Sequence, residues 1–192
     1  MNYKIALMFL LFAPGIAVPA QGADIDLGAP STRVGMSDTF KKGGCSLEKT
    51  VFEGKPALRV DFNCGNMTWM GFGFQKVELT RKAGKILVEV EVYVPKNNRA
   101  SLLYVRLEDR DGETWQFRQP LPDKPGWTTL KYEIDTTGEK LHSWGPEGKI
   151  NHKIEWPVSV SSMGICFKAP RNGVGYLGFG KIKLSAEEEV RP

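Results

Sequence analysis

Residues 101–118 read SLLYVRLEDRDGETWQFR. Asp111–Gly112 is a turn signal, and the flanks alternate apolar and polar residues, so the stretch predicts a β-hairpin. With a three-residue loop over residues 110–112 and Gly112 in the left-handed conformation, Leu107 opposes Trp115 and Val105 opposes Phe117. A shift of one residue sets Phe117 against Arg106 and mixes core with polar positions. The first register therefore sends Val105, Leu107, Trp115 and Phe117 inward. Tyr104, Arg106, Glu108, Thr114, Gln116 and Arg118 share the other face.

The same two-residue period runs outward in both directions from this hairpin. Ile86, Val88, Val90, Val92 and Val94 alternate with Leu87, Glu89, Glu91 and Tyr93, which reads as a core strand ended by Pro95. In GWTTLKYEID, residues 126–135, Leu130, Tyr132 and Ile134 point inward. Residues 158–168 and 175–184 supply a closing pair. Residues 68–79, TWMGFGFQKVEL, place Met70, Phe72 and Phe74 on one face and Trp69, Gly71 and Gly73 on the other. A glycine face admits close approach, by a neighbouring strand or by a ligand lying flat. Nothing holds a helical period for ten residues. The expected class is an all-β antiparallel sandwich.

An earlier hairpin pairs residues 45–51 with 58–64 across a turn near Gly54 and Lys55. That register sets Val51 opposite Leu58, Leu47 opposite Phe62 and Cys45 opposite Cys64. Opposed Cβ atoms lie about 4.5–5.5 Å apart, so a Cys45–Cys64 disulfide is expected in an oxidising compartment. Cys166 is then a free thiol that behaves as a small hydrophobe. Residues 24–42 read as an extended segment, and SAEEEV, residues 185–190, as a frayed tail.

The 192-residue chain begins with Lys4, a short apolar run, Pro14 and Gly15, then small residues. This is the pattern of a secretory signal peptide over residues 1–22, cleaved after Ala20 or Gly22. The run is shorter than the roughly 20 apolar residues of a spanning helix. Residues 23–192 suit a single domain, secreted or periplasmic, with no membrane contact after cleavage. A net charge of +4, with acids and bases interspersed, gives no case for nucleic acid.

No catalytic signature is present. Acids such as Glu108, Glu89, Glu91 and Asp61 stand in strands as ordinary surface residues do. A lyase would gather Tyr104, Arg106, Arg118 and His142 around a uronate, yet their spacing is not diagnostic. Asp109, Asp111 and Glu113 resemble half of an oxygen-ligand loop without the closing acids of an EF-hand. The hairpin turn accounts for them, so no cofactor is expected and a structural calcium is the one metal left open. His142 and His152 have no nearby Cys for zinc. The hairpin's polar face, with Arg, Glu, Gln and Tyr, is either a solvated face with cross-strand pairs or a sugar-binding surface using bidentate hydrogen bonds. Trp69 and Trp144 are the candidate aromatic platforms, Trp144 in a long loop beside His142.

An ordered series of motifs resembles secreted carbohydrate-binding modules with a galactose-binding-domain-like jelly-roll. GKPALRVDF, KILVEVEVYVP, LLYVRLEDRDGETWQF, GWTTLKYEI and MGICFKAPRNGVGYLGFGKIKL occur in that order between residues 52 and 184. The resemblance implies non-catalytic binding of a polysaccharide or oligosaccharide through Tyr104, Arg106, Glu108, Gln116 and Arg118. It departs at Gly178–Phe179–Gly180–Lys181, where acids near a structural calcium are missing. A small polysaccharide lyase or glycoside hydrolase, and a structural or protein-binding sandwich, are the alternatives.

Overall fold

The computed structural model describes residues 22–65, 67–137, 143–168 and 173–187. The leader pattern and His142 therefore lie outside the described residues, as does the end of the acidic tail. Strands β1 (Gly22–Asp26) and β2 (Val34–Gly35) are followed by a short helix, α1 (Asp38–Lys42). Ten further strands follow: β3 (Ser46–Phe52), β4 (Lys55–Asn63), β5 (Trp69–Leu79), β6 (Lys85–Val94), β7 (Ala100–Glu108), β8 (Thr114–Pro120), β9 (Gly126–Asp135), β10 (Ser143–Trp144), β11 (Val158–Phe167) and β12 (Val174–Glu187).

These strands form two antiparallel sheets. The first runs β3-β4-β12-β6-β9, with β1 also paired to β12; the second runs β10-β8-β7-β11-β5-β2. The two last strands thus lie in the middle of the two sheets. Alternation explains the sandwich. Ile86, Val88, Val90, Val92 and Val94 on β6 are buried, with Leu130, Tyr132 and Ile134 on β9 and Leu177, Phe179, Ile182 and Leu184 on β12. Met70, Phe72 and Phe74 on β5, Leu103, Val105 and Leu107 on β7, and Trp115 on β8 are buried from the second sheet. Phe72 meets Phe179 at 5.2 Å between ring centroids, and Phe62 stacks on Phe167 at 4.8 Å. The Tyr132 hydroxyl crosses the sandwich and donates to the Leu103 carbonyl at 3.1 Å.

The 101–118 hairpin has the predicted register: Leu107 faces Trp115, Val105 faces Phe117 and Arg106 faces Gln116. Gly112 is left-handed, with φ 82°. The earlier hairpin is different. Phe52 pairs with Lys55 and Leu47 with Val60, two residues away from the expected register. Glu53 and Gly54 both have positive φ, 51° and 80°, and make a two-residue turn of the type that matches strand twist. Val51 lies opposite Pro56 and is exposed, and Leu58 lies opposite Lys49. The expected Cys45–Cys64 disulfide is corrected with it. Both cysteines are free buried thiols, and burial pushes both thiol pKa values up.

Two further expectations change. Residues 24–42 are built into the fold: β1 pairs with β12, β2 pairs with β5, and α1 follows. At the other end β12 continues through Ser185 and Ala186, whose partners are Leu87 and Ile86 on β6.

Tyr132→Phe removes a buried side-chain hydrogen bond between the sheets and leaves the Leu103 carbonyl without that partner. A loss of about 1 kcal/mol of stability is expected, read from the midpoint of a urea melt.

Candidate ligand groove on the outer face of the second sheet

The outer face of the second sheet is built in rows by its register. One row carries Gln116, Arg106, Ser162, Gly73 and Gly35 across β8, β7, β11, β5 and β2. The next carries Arg118, Tyr104, Gly164 and Gly71. Side chains on β7 and β8 therefore face a strip of small residues on β11, β5 and β2. A third row sets Trp69 opposite Cys166 and Leu102.

Tyr104 does not stand up into solvent. Its ring lies on Gly164, where an added Cβ would come within 1.8 Å of the Tyr104 Cζ. Only a residue without a side chain admits the ring there. Tyr104 is 2% exposed, and burial pushes its phenol pKa up to about 12, against the pull of Arg106. It is a neutral floor to the site, not a base.

Arg106 rises from that floor. Its guanidinium carbon lies 5.2 Å from the Tyr104 ring centroid, 5.8 Å from Trp69 and 5.5 Å from Trp144. All three are within the roughly 6 Å over which a ring quadrupole attracts a cation. Trp69 (41% exposed) and Trp144 (37% exposed) flank it as open platforms. Phe40 of α1 packs edge-on against Trp69 at 5.2 Å and braces it.

Gln116 lies between two arginines. Its oxygen accepts from Arg106 Nε at 3.4 Å in one amide orientation, or from Arg118 Nε and Nη2 at 3.2 Å each in the other. The second makes two shorter bonds and is the stronger arrangement. It leaves Arg106 with a long 3.5 Å contact from Nη2 to the Tyr104 hydroxyl. Among the described residues neither Arg106 nor Arg118 is ion-paired to a carboxylate. Glu108 shares the face at its edge, where its carbonyl accepts from the Ser159 hydroxyl.

Between Trp69, Arg106 and the β2 edge opens a groove of about 520 Å³. Its floor is Gly35, Gly73 and Ser162, and Arg33, Phe40, Trp69 and Arg106 stand around it. A Cβ at Gly35 would meet nothing within 4 Å, and one at Gly73 only backbone oxygens at 3.6 and 4.0 Å. The glycine face of β5 thus opens onto free space here, while Gly71 is covered by Trp69 and Tyr104.

The other sheet carries a second aromatic cluster that is built differently. Phe52 stacks between Tyr93 (4.6 Å) and Tyr176 (5.7 Å). Arg59 covers Tyr176 at 4.2 Å, and Lys55 covers Trp127 at 4.6 Å. Its rings are half-buried against one another with cations close over them, whereas Trp69 and Trp144 stand exposed with Arg106 further off, at 5.8 and 5.5 Å.

Trp144 is held by a carboxylate that sequence reading assigned to the turn alone. Glu113 is fully buried and accepts from the backbone N–H groups of Asn151 and His152, both at 3.0 Å, and from the Ser143 hydroxyl. Asp109 accepts from Asp111 and Glu113 N–H at 3.0 and 2.9 Å and from Glu155 N–H at 3.1 Å. The two acids tie the segment around β10 to the hairpin. Ser143 also meets His152 Nδ1 at 2.8 Å. Glu113 Oε1 stands 3.7 Å from His152 Nδ1, beyond hydrogen-bond reach, and bonds the serine and the backbone instead, so the trio is a clamp and not a relay through the imidazole. Among the described residues no group of three or more His, Cys, Asp or Glu side chains is placed to hold a metal ion.

No protein-family model matches the sequence, and no curated protein matches it. Solved structures do. A family 11 carbohydrate-binding module from Clostridium thermocellum, in complex with a β-1,3-1,4-mixed-linked tetrasaccharide, is 14% identical with a TM-score of 0.51, covering 87% of this chain and 98% of that one. A structure described as the BiXyn10A CBM1 in its apo form is 11% identical with a TM-score of 0.53, covering 85% and 96%. The fold is that of the carbohydrate-binding modules. A putative sugar-binding protein from Bacteroides thetaiotaomicron is similar too, at 11% identity and a TM-score of 0.51, covering 83% and 89%. At these identities the likeness is one of fold alone. Of the sequence-predicted residues, Trp69, Tyr104, Arg106, Gln116, Arg118 and Trp144 come together, with Glu108 at the margin. Arg33 and Phe40 were missed, because only the fold of residues 22–45 brings them beside β5.

Glu113→Gln replaces one acceptor oxygen by a donor in a buried site, at a cost of about 1–3 kcal/mol. Trypsin is expected to cut at Lys149 and Lys153 faster in this variant than in the wild type. Equal cleavage rates would show that Glu113 does not hold the segment. A second expectation concerns alkali. The Tyr104 phenol has an ordinary pKa of 10.0 and about 12 when folded. The unfolded chain therefore releases this proton first, and stability falls as pH rises from about 10 to about 12. Urea melts across that range should show a shallower fall in Tyr104→Phe.

Proposed function

We propose that this protein is an exported, non-catalytic module that binds a polysaccharide along the outer face of its second sheet. The observation that carries the reading is the Arg106 guanidinium, set among Tyr104, Trp69 and Trp144 beside a groove floored by Gly35, Gly73 and Ser162. Sugar rings offer apolar C–H faces that stack on indoles and vicinal hydroxyls or acidic groups that a planar guanidinium engages in pairs. The glycine floor lets such a ring approach the backbone. The carbohydrate-binding-module fold and the leader-like residues 1–22 support the same reading. Two features weigh against a lyase or hydrolase at this place. Tyr104 is buried and held neutral, and Glu113 is occupied by backbone N–H groups.

The test is affinity electrophoresis through gels containing neutral or acidic polysaccharides. Retardation by at least one polymer is expected. Trp69→Ala and Arg106→Ala should each weaken it roughly tenfold or more, as for central anchor residues. Gly73→Val should abolish it by filling the floor, with the melting temperature little changed, since the new side chain points into open space. No retardation by any polymer, or equal retardation of all three variants, would sink the reading.

A further inference from the structure

The groove's charge is one-sided. Its described lining contains two guanidiniums, Arg33 and Arg106, and no carboxylate. Arg118, one strand further on, adds a third cation, while the acids Glu108 and Glu78 stand at the margin of this face in one row across Ser159, Glu78 paired with Lys76 at 3.1 Å. Among the described residues Arg33, Arg106 and Arg118 have no ion-pair partner, whereas Arg59 is paired with Asp61 at 2.8 Å and Arg110 with Glu155 at 3.0 Å. The arginines around the groove are therefore cations without a described counter-charge. Arg106 is also restrained. Three rings surround it, and its remaining polar contact, to the Tyr104 hydroxyl, is long at 3.5 Å. A guanidinium held this way has N–H donors to spend on a ligand and loses little freedom in doing so.

From this we infer that the groove selects acidic polysaccharides, whose carboxylate or sulfate groups pair with Arg106 and Arg33 while a neighbouring sugar ring stacks on Trp69. The inference rests on the polysaccharide-binding reading and adds the ligand's charge to it. A neutral polymer offers hydroxyls that guanidiniums also bond, but only a carboxylate or sulfate brings the opposite charge and the paired oxygens that a guanidinium engages two at a time.

The experiment compares acidic polymers with chemically neutralised versions of themselves, so that ring type and linkage are held constant. Polygalacturonate, alginate and hyaluronan are each paired with their carboxyl-reduced forms, and a carrageenan with its desulfated form. Neutral mixed-linkage glucan, xylan and galactan complete the panel. At least one acidic polymer is expected to bind roughly ten- to hundredfold more tightly than its neutralised partner. That difference should shrink as salt is raised. It should collapse in Arg106→Gln and in Arg33→Gln, with unchanged melting temperatures showing that both variants are folded. Loss on carboxyl reduction identifies a uronate ligand, and loss on desulfation a sulfated one. Binding confined to the neutral polymers, or equal for each acidic polymer and its neutralised form, overturns the inference and leaves polysaccharide binding standing. Binding to nothing in the panel overturns both.

Discussion

The Tyr104 ring lies flat on the second sheet because residue 164 has no Cβ, and the outer face is arranged around that contact. With the ring down, its hydroxyl comes 3.6 Å from where a Gly71 Cβ would stand, and its face lies beneath Arg106. An upright tyrosine would fill the space that Arg106, Trp69 and Trp144 share. Packing of this kind is unforgiving, since protein interiors leave few gaps to absorb an added methyl group. A cluster that is apolar at its base and cationic at its top follows from one missing side chain.

The hairpin supplies the other fixed point. Asp109 and Glu113 stand at its turn, where acids are commonplace, yet both are buried and saturated with backbone N–H donors. A buried carboxylate is tolerated when its lone pairs are filled this way. The donors come from residues 111–113 and 151–155, so the acids join the turn to a segment far along the chain. Trp144 is carried on that segment, paired through β10 to Thr114. Two of the three acids that suggested half a calcium loop are thus the anchor of an aromatic platform.

Much of this was legible in the sequence. The alternation of β7 and β8 gave the register of Leu107 with Trp115 and the division of Trp115 from Arg106, because a one-residue slip would have exposed the core. The first hairpin shows where such reasoning stops. A slip of two residues leaves every side chain on its own face, so alternation cannot detect it. The left-handed pair Glu53–Gly54 decided the register there, and in it Cys45 does not stand opposite Cys64. Arg33 and Phe40 were illegible for another reason. They lie in a polar stretch without periodicity, and only the pairing of β2 with β5 gives them a role.

The sequence by itself determined the class of fold and the face on which each β7 and β8 residue stands. Both follow from a period of two residues and from turn chemistry, which are local. Tertiary structure decided which strands adjoin, and so the composition of the groove. β11 enters between β5 and β7 and sets Gly164 under Tyr104 and Ser162 beside Arg106. Those neighbours are remote in the chain and are selected by the burial of both sheets together, a condition that no local pattern encodes.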